Sequence, residues 1–200
     1  MAIPATVNPT TTRRRILNTA ARLFRERGFH ATTTRAISEI VGILSGSLFH
    51  YFRSKDQMLF EVMNEAATQL CVKAEAAVAA ADNPRARFRA LMRLQLDCLI
   101  GEETRDFYAV MIGEWRELGT AAKPTLTARR TQYSALWNAV LEECARTGLL
   151  RIDPHTAQFV VHGAINWAST WFKPGGLLSI ENYAGILEDL FLEAEPQSQH

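Results

Sequence analysis

Apolar residues in this chain recur at three- and four-residue spacing, and the pattern is broken repeatedly by glycine or proline. Ile16, Ala20, Leu23 and Phe24 show this spacing first, and it stops at Gly28. Such spacing is typical of amphipathic helices, whereas segments that alternate apolar and polar residues, as strands do, are hard to find. The sequence therefore predicts an all-α fold of about nine helices, with no sheet and no internal repeat.

Capping residues indicate where several of these helices begin. Ser54 is followed three residues later by Gln57, which is the capping-box pattern. Asp153 stands directly before a proline, an arrangement that favours a helix start. Threonines at positions 10–12 are expected to cap the first helix. The other helices are expected at about 34–41, 45–51, 54–81, between Pro84 and Gly101, at 103–118, from Pro124 to Gly148, from Pro154 to Pro174 and from about Ser179.

Length and composition narrow the class of protein. The chain has 200 residues, of which 48% are hydrophobic, so it can form one domain or two with a real core. Its cysteines, Cys71, Cys98 and Cys144, are far apart, which favours buried thiols in a reducing compartment over disulfides or a zinc site. The N-terminus lacks a signal-peptide pattern, and no apolar run reaches the ~18 residues of a membrane span. We therefore expect a cytoplasmic protein with no membrane partner, metal or cofactor.

The net charge of +1 conceals an asymmetry along the chain. Up to Asp56 there are nine Lys or Arg and three acidic residues, a net charge of +6. The remaining 144 residues carry 13 bases and 18 acids, a net charge of −5. A basic N-terminal part favours a nucleic-acid partner for that part alone. We therefore expect two domains, a nucleic-acid-binding domain at 1–54 and a larger domain at 55–200.

The basic part has the organisation of a helix-turn-helix. Two short predicted helices, 34–41 and 45–51, are joined at Gly42, and the second helix of such a pair enters a DNA major groove. Its outer face carries side chains that can hydrogen-bond, namely Ser45, Ser47, His50 and Tyr51. Lys55 follows the cap at Ser54, where a phosphate would also meet a helix N-terminus.

The same segment resembles the DNA-binding signature of the TetR family of bacterial transcriptional regulators. The resemblance spans about 45 residues and is carried by Gly28-Phe29, Ala31-Thr32-Thr33, Ile37, Gly42, Gly46–Phe52 and Ser54-Lys55. Membership would imply an all-helical homodimer with an N-terminal three-helix DNA-binding domain. It would also imply a C-terminal helical domain that binds a small ligand and dimerises.

The resemblance also implies which residues contact DNA. Thr33 would cap the second helix, and Lys55 would bind a phosphate. The full set of expected DNA-binding residues is Thr33, Thr34, Arg35, Ser45, Ser47, Phe49, His50, Tyr51 and Lys55. Two positions depart from the family pattern, since most members have Tyr where Phe49 stands and Ser where Leu44 stands. Both departures remove a hydroxyl group that would help to anchor phosphate.

The acidic part is rich in large side chains and shows no catalytic constellation. All four tryptophans of the chain lie here, interleaved with polar residues at helical spacing. Core packing explains any single one of them, but an apolar pocket with a few polar groups is also how small-molecule sites are built. The expected ligand-binding residues are Phe107, Met111, Trp115, Arg129, Tyr133, Trp137, His162 and Asn166.

A narrower resemblance concerns the ligand. The segments 43–48 and 171–179 look like those of TetR-type repressors of steroid and fatty-acid breakdown, which respond to acyl-CoA thioesters. The last two helices are the expected dimer interface, because small residues permit close approach and apolar ones offer a face. The residues expected there are Gly163, Trp167, Leu187, Leu190 and Phe191.

These features predict a ligand-responsive repressor that is not an enzyme and that binds a palindromic operator. Half-sites would lie about one helical turn, ~10 bp, apart. A ligand that binds the released state more tightly would shift the population away from DNA. Two alternatives stay open: a constitutive DNA-binding protein whose bulky residues are pure core, and a helical enzyme that processes acyl thioesters.

Overall fold

The computed structural model describes residues 9–173 and 175–194, and this part of the chain is built from helices and their connections. Its nine α-helices are α1 (Pro9–Arg27), α2 (Thr34–Val41), α3 (Ser45–Leu48), α4 (Lys55–Ala79), α5 (Pro84–Ile100), α6 (Arg105–Gly113), α7 (Lys123–Arg146), α8 (Pro154–Trp171) and α9 (Ile180–Phe191). A 3-10 turn, Trp115–Glu117, follows α6, and an isolated antiparallel bridge joins Leu150 to Leu192. The prediction of an all-α fold is confirmed. Pro174, expected to end the eighth helix, lies outside the described residues.

Predicted caps are found at the starts of α4 and α8. Ser54 Oγ accepts the Gln57 amide at 3.1 Å, and the Gln57 side chain reaches back to accept the Arg53 amide at 2.7 Å. Asp153 accepts from Thr156 N at 2.9 Å. The threonine caps expected for the first helix were wrong, because α1 already begins at Pro9.

Two helices are shorter than the sequence predicts. The helix expected at 45–51 ends at Leu48 and continues as a turn, because Ser45, Gly46 and Ser47 have low helix propensity. The helix expected at 103–118 is interrupted after Gly113 and resumes as the 3-10 turn. The α2 helix has the expected bounds.

The described residues form two compact units. The first unit runs through Ala67 and then from Asp106 to Thr127. Its core packs the apolar stripe of α1 against α2, α3 and the first part of α4. The buried side chains of this core include Ile16, Leu17, Leu23, Phe24, Ile37, Val41, Leu48, Phe52, Met58 and Leu59.

The second unit comprises Thr68–Arg105 and the described residues from Ala128 onwards. Within it α5 contacts α8 and α9, and the Phe88 ring meets Trp137 edge-on with centroids 5.8 Å apart. Glu188 of α9 is buried between Arg85 and Arg89 of α5, and Arg85 Nη1 donates to it at 2.9 Å. Across the described ranges no helix combines the length and the apolarity that a membrane crossing requires.

Candidate functional site

The turn between α2 and α3 is held by a left-handed glycine. Gly42 has φ +77°, and its amide donates to Ser38 O at 2.9 Å. Ile43 N donates to the same carbonyl at 3.0 Å, so the chain reverses within three residues. Ile37 and Leu48, on either side of the turn, are fully buried. The two short helices therefore form a helix-turn-helix of which one face is anchored in the core of the first unit.

The opposite face of this helix pair is open to solvent. Ser45, Phe49 and His50 are exposed, with 52% of Phe49 accessible, and Ser47 and Tyr51 are partly exposed. Leu44, which stands where the family usually has Ser, is exposed as well. The residues expected to read DNA on the second helix therefore lie on one accessible surface.

The start of α2 adds three further predicted residues to this surface. Thr33 Oγ1 accepts the Ala36 amide at 3.1 Å, which confirms that it caps the helix. Thr34 is partly exposed, and Arg35 is exposed with its Nε 2.9 Å from Glu39 Oε1.

Lys55 has a role that the sequence did not reveal. Its Nζ donates to Phe29 O at 2.8 Å and to Thr32 O at 2.9 Å, and it lies 4.2 Å from the centroid of the Phe29 ring. On the other side of the same turn, Glu114 accepts the Phe29 amide at 3.2 Å. The turn that leads into the helix-turn-helix is thus fastened both from α4 and from the segment after α6.

Several arginines of the basic part are engaged within the first unit. Arg13 pairs with Glu61 at 3.1 Å, and Arg14 pairs with Glu65. Arg15 Nη2 donates to Val41 O at 2.7 Å. These contacts show that part of the positive charge counted in the sequence serves to hold α1 to its neighbours.

The second unit contains a polar cluster made of five side chains from three helices. Tyr133 Oη donates to Gln95 Oε1 at 2.9 Å, and Gln95 Nε2 donates to Asn166 Oδ1 at 3.0 Å. The His162 ring lies 5.1 Å from Trp137 and 6.0 Å from Tyr133, measured between centroids. Four of these residues were expected to bind ligand. Gln95 was missed, and its signal was a polar residue in the apolar stripe of its helix.

Burial sets the protonation of this cluster. It raises the pKa of Tyr133 far above its usual value and lowers the pKa of His162, so both side chains are neutral near pH 7. Trp137 is fully buried. The cluster is therefore an uncharged set of donors and acceptors inside an apolar unit.

The other residues expected to bind ligand lie elsewhere. Phe107, Met111 and Trp115 belong to the first unit, where Phe107 is buried and faces the Arg14 guanidinium at 5.2 Å. Arg129 is in the second unit, and its carbonyl accepts from Cys71 Sγ at 3.5 Å. Among the described residues, no group of three His, Cys, Asp or Glu side chains is placed to hold a metal ion.

The residues expected at a dimer interface fall into two sets. Gly163 is exposed, as are Trp167 at 67% and Leu190 at 64%, whereas Leu187 and Phe191 are only 3% and 5% exposed. The last two residues pack inside their own unit, which leaves little of either side chain for a partner. Other large apolar side chains are exposed on the same two helices, namely Phe159, Val160, Trp171 and Ile186.

Comparison with known sequences gives two family matches. Residues 16–62 match the model of bacterial regulatory proteins of the tetR family, and residues 81–194 match that of a tetracyclin repressor-like C-terminal domain. The HTH-type transcriptional repressor KstR2 of Rhodococcus jostii (strain RHA1) is 33% identical over 175 residues, which cover 86% of this chain and 85% of the relative.

Solved structures agree with these matches. The crystal structure of AibR in complex with isovaleryl coenzyme A and operator DNA superposes with a TM-score of 0.81 at 28% identity, covering 90% of this chain and 97% of that one. The structure of the ketosteroid transcriptional regulator KstR2 of Mycobacterium tuberculosis gives a TM-score of 0.81 at 25% identity, with 96% and 100% covered.

Proposed function

The chain belongs to the TetR family of bacterial regulatory proteins, and from this membership we propose that it is a ligand-responsive repressor that binds a palindromic operator as a homodimer. The observation that carries the proposal is the helix-turn-helix, with its glycine turn and its accessible polar face. A homodimer presents two such faces, which suits two half-sites about one helical turn apart.

The residues we assign to DNA contact divide by their position. Ser45, Ser47 and His50 lie on α3 or directly after it and would face base edges or phosphates in the major groove. Thr33, Thr34 and Arg35 at the start of α2, with Phe49 and Tyr51 in the turn after α3, would flank the backbone.

Lys55 can hold its turn and also bind a phosphate. An ammonium group has three N–H donors, and two of them point to the carbonyl oxygens of Phe29 and Thr32. The third donor and the positive charge remain for a phosphate, and Lys55 is partly exposed at the first position of α4. The expected phosphate contact is therefore compatible with the contacts in the structure.

We assign effector binding to the larger domain, for which 55–200 remains our proposed range. The AibR complex holds isovaleryl coenzyme A, and an acyl-CoA thioester is accordingly the effector class we propose for this chain. Tyr133, Trp137, His162 and Asn166 are the assigned contacts with the strongest structural support, because they are gathered at one place. Release from DNA would follow if the effector binds the released state more tightly than the DNA-bound state.

We assign dimerisation to the exposed apolar face of α8 and α9. Phe159, Gly163, Trp167 and Trp171 recur every four residues on α8, so they form a single stripe. Ile186 and Leu190 extend this face on α9. An apolar surface of this kind on two long helices suits a four-helix bundle with a second copy.

We do not propose catalysis. We place the protein in the cytoplasm, because a repressor acts on the bacterial chromosome, which is found there. Of the alternatives, a constitutive DNA-binding protein would use the buried polar cluster only to hold its helices together. An acyl-thioester enzyme would need a nucleophile beside a base. The buried cysteines Cys71 and Cys144 have pKa values raised by burial, which disfavours a reactive thiolate.

Selection from randomised duplex DNA with the purified chain tests the proposal. We expect a palindromic consensus, steep weakening of binding with salt, and release when isovaleryl-CoA or a longer acyl-CoA is added. Failure to enrich any sequence would overturn the proposal that the chain is a sequence-specific regulator. If a consensus sequence is enriched but the affinity for it is the same with and without every acyl-CoA, the chain is a DNA-binding protein that does not respond to this effector class.

A further inference from the structure

Two hydrogen-bonding groups of the polar cluster are left unused by the described part of the chain. Trp137 Nε1 and His162 Nε2 are both buried, and neither makes a well-formed hydrogen bond there; the Trp137 side chain lies near the Tyr133 hydroxyl, whose proton is donated to Gln95. A buried polar group without a partner costs roughly 1–3 kcal/mol of stability. Two such groups on adjacent rings therefore indicate a partner outside the described residues, either a bound molecule or water.

The two groups differ in hydrogen-bonding character. The indole N–H of Trp137 can only donate. His162 is a neutral imidazole that bonds to the backbone of Gln158, and a neutral ring carries one donor and one acceptor nitrogen. Because one nitrogen donates to that backbone, Nε2 is the acceptor. The ring centroids are 5.1 Å apart, so the two rings are in contact and bring one donor and one acceptor into the same cluster.

The rest of the cluster is already satisfied and acts as a frame. Tyr133 donates its only hydroxyl proton to Gln95, and Gln95 in turn donates to Asn166. These hydrogen bonds link α5, α7 and α8, and they fix the helices that carry Trp137 and His162. Trp137 and His162 are therefore the residues of the cluster that can select a functional group of the ligand by hydrogen bonding.

We propose that Trp137 and His162 bind a hydroxyl group on an otherwise apolar ligand. A hydroxyl oxygen accepts from the indole N–H while its proton is donated to His162 Nε2. A ketone would satisfy the tryptophan alone. A carboxylate would have no donor to offer the histidine and would bury a charge among uncharged side chains. The inference rests on the proposed function only in so far as the second unit takes an apolar ligand.

Three bicyclic probes that differ in one functional group can test this assignment. The probes are trans-2-decalol, trans-2-decalone and trans-decalin, titrated into the full-length protein without DNA. We expect decalol to bind about tenfold more tightly than decalin, since the hydrocarbon leaves both buried groups unpaired. In a ¹⁵N spectrum, the Trp137 indole proton should move downfield with decalol and stay in place with decalin. Trp137→Phe identifies that resonance.

Variants separate a hydroxyl site from general apolar binding. His162→Phe should abolish the preference for decalol over decalone, and His162→Gln, which keeps an acceptor, should restore most of it. His155→Phe, on an exposed histidine of the same helix, is the matched control and should change nothing.

The outcomes distinguish this inference from the regulator proposal. Equal binding of all three probes, or an indole resonance that none of them moves, would overturn the hydroxyl site and would leave water as the only partner. If the protein binds and releases its operator but the Trp137 indole resonance never moves, the hydroxyl site is overturned and the regulator proposal stands. Decalol binding with the indole shift but without any DNA binding would keep the hydroxyl site and overturn the regulator.

Discussion

The ammonium group of Lys55 lies 2.8 Å from the carbonyl oxygen of Phe29 and 4.2 Å from the centre of its ring. One residue thus bonds the turn between α1 and α2 and covers the aromatic side chain of that turn. Because the turn at Phe29 leads directly into α2, Lys55 links the first position of α4 to the placement of the helix-turn-helix.

We expect Lys55→Met to weaken both folding and DNA binding. Loss of hydrogen bonds from a charged group should lower the free energy of unfolding by about 2 kcal/mol. Loss of a phosphate contact should reduce the slope of log K against log salt by about one. Denaturation and fluorescence anisotropy measure the two effects, with Lys73→Met on the exposed side of α4 as control. A stability loss with an unchanged salt slope would restrict Lys55 to holding the turn.

Local signals explain which parts of the fold could be predicted. The bounds of α2 follow from Thr33 and Gly42, which start and end the helix through contacts within a few residues. The predicted α3 was too long because its amphipathic spacing continued while the Ser-Gly-Ser sequence could not sustain the helix.

The candidate sites depend on contacts that spacing does not show. Gln95 meets Tyr133 and Asn166, which are 38 and 71 residues away in the chain. Likewise, a charge count cannot tell that Arg13 and Arg14 pair with acids of α4. The sequence therefore predicted the residue types at the sites, while tertiary packing decided which of them are brought together.

We expect Glu188→Gln to destabilise the protein in a pH-dependent manner. Burial alone would raise the pKa of Glu188, but Arg89 and Arg85 outweigh it and hold the pKa below its usual value. The carboxylate therefore contributes stability above the unfolded pKa of about 4.3, and this contribution is lost as pH falls through the lower folded value. At pH 7 the variant should lose about 3 kcal/mol.

Chemical denaturation at pH 7 and near pH 3 measures this effect. The difference between wild type and Glu188→Gln should shrink towards lower pH, because the wild-type carboxyl group becomes protonated as pH falls through its lowered folded pKa. Glu193→Gln, an exposed carboxylate 3.7 Å from Arg151, is the control and should have little effect at either pH. A difference that stays the same at both values would contradict the ion-pair explanation.

We expect a charge on the α8–α9 face to disrupt the homodimer. Trp167→Glu and Leu190→Glu each place a carboxylate where the proposed bundle buries an apolar side chain, so the dimer dissociation constant should rise by at least about a hundredfold. Analytical ultracentrifugation measures the state of assembly. Val72→Glu, on an exposed apolar residue of α4, should leave it unchanged. A dimer that tolerates both substitutions would place the interface elsewhere.

Phe49→Tyr should increase the affinity for operator DNA. Phe49 is at the C-terminal end of α3 and 52% exposed, so the added hydroxyl group meets solvent in the free protein and leaves the core untouched. The resemblance to the family places a tyrosine hydroxyl at this position within reach of a phosphate. One hydrogen bond worth about 1 kcal/mol corresponds to roughly fivefold tighter binding. Because the hydroxyl group is neutral, the salt slope should not change.

Anisotropy with the selected operator at two salt concentrations measures both quantities. Val72→Thr adds a neutral hydroxyl group on an exposed side chain of α4, outside the proposed DNA and dimer surfaces, and should not alter DNA binding. Unchanged affinity of Phe49→Tyr would mean that this side chain lies away from the DNA backbone, and the proposed placement of α3 in the groove would have to be revised.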